Sequence, residues 1–323
     1  MGGFSYDRDD YDSSSSSGWS SSSSYSSNDS YSSYASSKMS AFRLDDSMKP
    51  THRIRSNSKN PIIIVLDVTG SNTSLAKIVY DKMPMFYGQI EQQGYLKDFD
   101  ICFMAVGDAF SDKYPLQVGN FAKGIEIDTY LEKIVLEGCG GGNDGESYEL
   151  AAYYLTHYMD LPEGAKPIVF FQGDEPTHGN PTKSSVEEVE MNWNADSGDV
   201  WKNLREMCDD NVYMMLGKFN GTYWKESYEN EWKNILADEH VIRVNEEKAI
   251  IDLILGIISM VSQTRDLDSY KVDMLNRGQT TKRIEDVSNS LKNLSTALAV
   301  VNVQNGAVST TAPKKTGSKG KRL

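Results

Sequence analysis

Residues 61–71 read PIIIVLDVTGS, and this stretch decides the fold. Pro61 to Leu66 is an unbroken apolar run rich in β-branched side chains. Such a run marks a strand buried on both faces, as in a parallel sheet. Asp67 ends it. Thr69 and Ser71 then place hydroxyls on a tight turn, and Gly70 allows the bend. From Leu75 to Gln93 the side chains Leu75, Ile78, Val79, Met83, Phe86 and Ile90 share one helical face, with Pro84 placed to kink the helix.

Working outward, the same alternation recurs. Phe99 to Val106 (FDICFMAV) is a second buried strand, and Leu116 to Phe121 is a short strand for a sheet edge. Thr129 to Leu136 predicts a short helix and Glu146 to Tyr158 a longer one. Pro167 to Gln172 (PIVFFQ) is the next buried strand, followed by a helix over Asp199–Met207. Asn211 to Leu216 and the weaker His240 to Val244 are strands, and Glu246 to Val261 closes the unit with a helix. Strands alternating with helices predict right-handed crossovers and an α/β fold with a doubly wound, Rossmann-like, mostly parallel sheet. Ligands of such sheets bind at the carboxyl ends of the strands.

The ends of the 323-residue chain differ from this middle. Between Ser13 and Ser40, 18 of 28 residues are serine. Such a segment buries too little apolar surface to offset its ordering entropy, which predicts disorder over residues 1–58. The globular domain is expected over 59–263, a linker over 264–281, and an amphipathic helix over 282–303. That helix carries Ile284, Val287, Leu291, Leu294, Leu298 and Val301 as a short a/d seam, fit either to dock on its own domain or to self-associate through 284–301. Residues 304–323 form a basic tail, also expected to be disordered.

Within Pro61 to Gln263 there are 34 acidic and 15 basic residues, a net charge of −19, against −13 for the whole chain. Phosphate backbones are repelled by such a domain, so nucleic acid is not the expected partner. Cys102, Cys139 and Cys208 form no paired spacing, which suits a reducing compartment. No secretory h-region is visible near Met1. The most apolar stretch, Ala249 to Val261, has 13 residues and contains Asp252, so it suits a core helix and not a membrane span. Together these point to a cytoplasmic protein without a membrane partner.

Three oxygen-rich loops follow three of the buried strands. The first is Asp67-Val68-Thr69-Gly70-Ser71. The second is Gly140-Gly141-Gly142-Asn143-Asp144-Gly145-Glu146, and the third is Gly173-Asp174-Glu175-Pro176-Thr177-His178-Gly179. Carboxylates and hydroxyls are hard ligands that suit Mg²⁺, Mn²⁺ or Ca²⁺ more than Zn²⁺. A cation held with few direct anionic ligands stays electrophilic and can accept a carboxylate from a partner. Among neighbouring side chains, Asp108 is expected to cap a loop and His178 to bond backbone. Glu146 is expected to sit in the first turn of its helix and Glu175 to be solvated.

On these residues the chain resembles the von Willebrand factor A family. The metal-ion-dependent adhesion site of that family begins with Asp-x-Ser/Thr-x-Ser after the first strand, and Asp67, Thr69 and Ser71 match it. The family's aspartate at the end of the fourth strand is matched by Asp174. The resemblance implies that Thr69 and Ser71 ligate the metal directly, while Asp67 and Asp174 act largely through bound water. The family's threonine in the second loop falls near Gly142 here, leaving Asn143 or Asp144 to supply the missing oxygen. That Gly-rich loop, Ala105-Val106-Gly107-Asp108 and the Asp174-x-Pro-x-His-Gly loop are similar to an intracellular subgroup. By resemblance, the function is a Mg²⁺-dependent protein-binding adaptor that grips an acidic residue of a partner, with an AAA-type ATPase as one such partner.

Two other classes compete. A Mg²⁺-dependent phosphohydrolase would use Asp67 as nucleophile. The haloacid dehalogenase-type pattern wants a second aspartate where Thr69 stands, and no Gly-x-x-x-x-Gly-Lys-Ser/Thr loop is present. The chain is therefore expected not to be an enzyme. The remaining alternative is an assembly scaffold without a functional metal.

Overall fold

The computed structural model describes residues 43–136, 145–219 and 221–308. The central sheet contains β2 (Ile62–Asp67), β3 (Ile101–Val106), β4 (Leu116–Val118), β6 (Ile168–Gly173), β7 (Val212–Leu216) and β8 (Val241–Arg243) in the order β4-β3-β2-β6-β7-β8. All neighbours pair in parallel except β4, which runs antiparallel along β3. A two-residue parallel pair lies apart from it, β1 (Ile54–Arg55) with β5 (Met159–Asp160). The fold is thus mixed α/β, with a mostly parallel sheet between helical layers.

The continuous apolar runs have their cause in this arrangement. Ile62, Ile64 and Leu66 of β2 point into one core, packed against α1 (Thr73–Gln93) and α7 (Ile250–Val261). Ile63 and Val65 point into the other, against α3 (Tyr148–Tyr158) and α5 (Val200–Met207). Both faces are dry, so the polar alternation of an exposed strand is lost. Strand β2 lies between β3 and β6, and the winding reverses there. The ends of β2 and β6 flank the crevice in which such sheets place ligands.

Several expected boundaries move. The N-terminal disorder read over 1–58 does not extend to its end: Leu44, Met48 and Ile54 are buried, and Ile54–Arg55 is paired with β5. Residues 1–42 lie outside the described residues. Helix α2 occupies Glu126–Leu131, earlier than read, and α1 continues through Pro84. Besides the helix found in the expected linker, two helices were not anticipated: α4 (Lys183–Glu188), with Thr182 as its N-cap, and α6 (Glu226–Leu236).

The expected linker over 264–281 instead carries α8 (Leu267–Asn276), capped by Asp266 and burying Tyr270 and Met274. The final helix, α9 (Thr281–Val308), spends much of its seam on the domain itself, with Val287, Leu291 and Leu294 buried in the same core as α7. This explains why α7 is apolar all round. The sheet covers one side of it, and α8 and α9 cover the other. A side chain at Gly256 would meet Leu291 Cδ1 at 2.6 Å and Tyr270 Cε1 at 2.8 Å, so this packing requires glycine. Full burial of one such leucine contributes about 2 kcal/mol. Seam positions 287, 291 and 294 are therefore not available to a second copy.

Candidate metal centre

The β2–α1 turn is built around one buried carboxylate. Asp67 is fully buried, and its Oδ1 accepts from the Thr69 amide at 2.9 Å and the Thr69 hydroxyl at 2.5 Å. Its Oδ2 accepts from the Tyr148 hydroxyl at 2.6 Å. The Asn72 amide holds the Asp67 carbonyl at 3.3 Å. Across the crevice, Asp174 follows β6 and is also buried. Its Oδ1 accepts from the Ser71 hydroxyl at 3.0 Å. The turn and the β6 loop thus meet directly, and Asp67, Thr69, Ser71 and Asp174 come together as expected. Asn143 and Asp144 lie outside the described residues, as does Gly142.

Burial pushes the Asp67 carboxyl up to about 7, and the Asp174 charge pushes the same way against the Thr69 and Tyr148 hydrogen bonds. No lysine or arginine bonds Asp67 among the described residues. A buried carboxylate with this little compensation is costly. The donor set is wholly oxygen, and each hydroxyl donates its proton to a carboxylate. This arrangement fits a hard divalent cation, with Thr69 and Ser71 as the hydroxyl donors and Asp67 and Asp174 as the negative charge. Among the described residues no group of three or more His, Cys, Asp and Glu side chains is placed to hold a metal. An oxygen site of two acids and two hydroxyls does not need one.

Two further residues belong to the site. Tyr148 opens α3, is fully buried, and reaches Asp67 over the end of β6. It can do so only because Gly173 has no side chain: a Cβ there would stand 1.6 Å from the Tyr148 hydroxyl oxygen and 2.9 Å from Asp67 Oδ2. Burial holds the Tyr148 phenol well above its ordinary pKa, so it donates to Asp67 throughout the neutral range. Nothing in the sequence separates Tyr148 from Tyr153 and Tyr154; its partner Gly173, ending an apolar strand, was the readable half.

Glu146 differs from expectation. It precedes the helix, makes a parallel bridge to Thr177, and is buried with its Oε2 unpartnered. Burial, then the charge of Asp67, pushes its carboxyl up to about 10. It is therefore protonated at neutral pH in the metal-free protein. Glu175 is half-buried, accepting from the Gly145 amide at 2.7 Å, so it is not simply solvated.

Asp108 caps its loop as read, accepting from the Phe110 amide at 3.1 Å and the Ser111 hydroxyl at 3.1 Å. His178 bonds this carboxylate at 3.2 Å, a side-chain partner where backbone was expected. The pair ties the β3 loop to the β6 loop beside the site.

No protein-family profile matches the chain, and no curated protein matches it by sequence. Solved structures do. The pilus adhesin SpaC from Lactobacillus rhamnosus GG, in its open conformation, is 11% identical with a TM-score of 0.41. The match covers 68% of this chain and 31% of the adhesin. Proximal thread matrix protein 1 from the mussel byssus, with a zinc-occupied MIDAS motif, is 9% identical with a TM-score of 0.41, over 67% of this chain and 47% of that one. The chain thus spans less than half the length of either. At such identities and TM-scores the likeness fixes neither the family nor the ligand of this chain.

Proposed function

We propose that this chain is a protein-binding module of the von Willebrand factor A type, which holds Mg²⁺, or Mn²⁺ or Ca²⁺, to grip an acidic side chain of a partner protein. The observation that carries this reading is Asp67, fully buried, bonded by Thr69 and Tyr148 and flanked by Asp174, with its carboxyl pushed up to about 7. A bound divalent cation would supply an electrophilic centre with room for one external carboxylate oxygen. Thr69 and Ser71 would present their oxygens to it. Asp67 and Asp174 would balance its charge, and Tyr148 would fix the rotamer of Asp67.

We read the module as non-catalytic. Both oxygens of Asp67 are engaged by donors and the residue is closed to solvent, which is a poor state for a nucleophile. The partner we propose is a protein offering aspartate or glutamate, an AAA-type ATPase among the candidates. The compartment we propose is the cytoplasm, supported by Cys102 and Cys208, which are buried and free. No helix among the described residues is long and apolar enough to cross a membrane.

The test is water-proton relaxation of Mn²⁺ with the full chain. Enhancement on adding protein, reduced by a peptide bearing aspartate but not by its asparagine counterpart, is the expected result. Enhancement unaffected by either peptide would overturn carboxylate gripping at this site.

A further inference from the structure

Glu146 stands at the end of the Gly-rich loop, only 4% exposed, and its main chain is pinned on both sides. The Glu146 amide donates to the Pro176 carbonyl at 2.9 Å, and the Glu146 carbonyl accepts from the Tyr148 amide at 2.9 Å. The next residue, Ser147, donates its amide to the Gly107 carbonyl at 3.1 Å, and its hydroxyl oxygen accepts from the Ala109 amide at 3.0 Å. The segment is thus tied to the β3 loop and the β6 loop at once. It lies two residues ahead of Tyr148, whose hydroxyl bonds Asp67.

No donor reaches Glu146 Oε2, although the atom is closed to solvent. After burial, the charges that act on this carboxyl are those of Asp67, Glu175, Asp108 and Asp112, in that order. Each of these four acids has a donor of its own. Asp67 accepts from Thr69 and Tyr148, and Glu175 from the Gly145 amide. Asp108 accepts from Phe110 and Ser111, and Asp112 from the Asp108 amide. No lysine or arginine pairs with Glu146 among the described residues. A buried carboxyl oxygen without a donor costs stability, and the cost is removed only when something else serves it.

We propose that Glu146 holds a water carried by the bound cation, with Oε2 as the oxygen that accepts from it. This rests on the metal-dependent reading above. A direct bond from Glu146 to the ion does not suit the geometry, since no three acids among the described residues are placed to share one. A coordinated water spans the remaining gap. It is also a stronger donor than a free water, because the cation polarises its O–H bonds. Glu146 is thus a positioning residue: it orients a water, and through it the ion, as carboxylates behind metal ligands do elsewhere.

The experiment uses the full chain and its Glu146→Gln and Glu146→Ala variants. Glu149→Gln is the control, a buried acid on the same rim that Thr177 already serves. Mn²⁺ affinity, followed by calorimetry, should fall about tenfold in Glu146→Gln and at least as far in Glu146→Ala, and should stay unchanged in Glu149→Gln. Urea denaturation without metal should find Glu146→Gln no less stable than wild type, a split that a merely structural glutamate would not give. Broadening of the Mn²⁺ resonance in water enriched in the magnetic oxygen isotope should count as many waters on the ion in Glu146→Gln as in wild type. Should Glu146→Ala fail to fold, the isosteric Glu146→Gln decides. Wild-type affinity in Glu146→Gln, an equal loss in Glu149→Gln, a loss accompanied by lowered stability, or an additional water on the ion each overturns the proposal and leaves the metal centre standing. Failure of wild type to take up Mn²⁺ overturns the metal-dependent reading, and the role of Glu146 with it.

Discussion

Two aspartates, Asp67 and Asp252, are both fully buried, and the protein treats them in opposite ways. Asp252, inside α7, is clamped between two guanidinium groups. Its Oδ1 is 3.1 Å from Arg277 Nη2 and its Oδ2 is 3.3 Å from Arg283 Nη1. These arginines come from the end of α8 and the start of α9, so the acid ties the C-terminal helices to the domain. Asp67 instead receives hydroxyls and one amide, and feels the charge of a second carboxylate. Burial alone therefore does not mark a functional acid. The informative feature is a buried acid whose compensation is left incomplete among the described residues.

The largest expected effect breaks the Asp252 side of this comparison. Arg277→Met leaves a buried acid short of a partner and should cost about 3–5 kcal/mol in urea denaturation. Asp67→Asn should act with the opposite sign on the metal-free protein. The folded-state pKa of Asp67 lies above its ordinary 3.8, so its stabilising contribution is present at low pH and is lost as pH rises through about 7. The amide removes that loss and should raise stability at pH 8 by on the order of 1–2 kcal/mol. Equal destabilisation by both variants would erase the distinction between the two acids.

A smaller effect sharpens it. Glu149 is buried on the same rim, and its carboxyl is pushed from 4.5 to about 7, by burial first, against a 2.8 Å hydrogen bond from Thr177. It too contributes stability at low pH that fades as pH rises through about 7. Glu149→Gln should therefore flatten the pH–stability curve between about pH 4.5 and 7, with a gain of about 1 kcal/mol at the upper end. Mg²⁺ should remove the Asp67 part of the slope and leave the Glu149 part. A slope unchanged in the variant would mean that Glu149 does not titrate in this window.

Much of this was legible in the sequence, for a physical reason. Strands dry on both faces must be continuous apolar runs, so PIIIVL and PIVFFQ announce themselves. A cation site at their ends needs acids and hydroxyls on the first residues beyond, as at Asp67, Thr69, Ser71 and Asp174. What stayed hidden depends on distant partners. Helix α6 buries Tyr228, Trp232 and Leu236 at a spacing of four, a narrow stripe in a polar segment. Helix α8 buries only Tyr270 and Met274. The β1 strand has two residues and exists only because β5 pairs with it. Tyr148 gained its role from a missing side chain at Gly173, and Glu146 from a bridge to Thr177. None of these leaves a local periodicity.

The central claim, that incomplete compensation at Asp67 marks a cation site, is tested most directly by calorimetric titration of Mg²⁺ and Mn²⁺ into the full chain, beside a Thr69→Ala/Ser71→Ala variant whose fold is verified by circular dichroism. Binding of one equivalent by wild type and none by the folded variant is the predicted result. No binding by wild type, or undiminished binding by the variant, would contradict it.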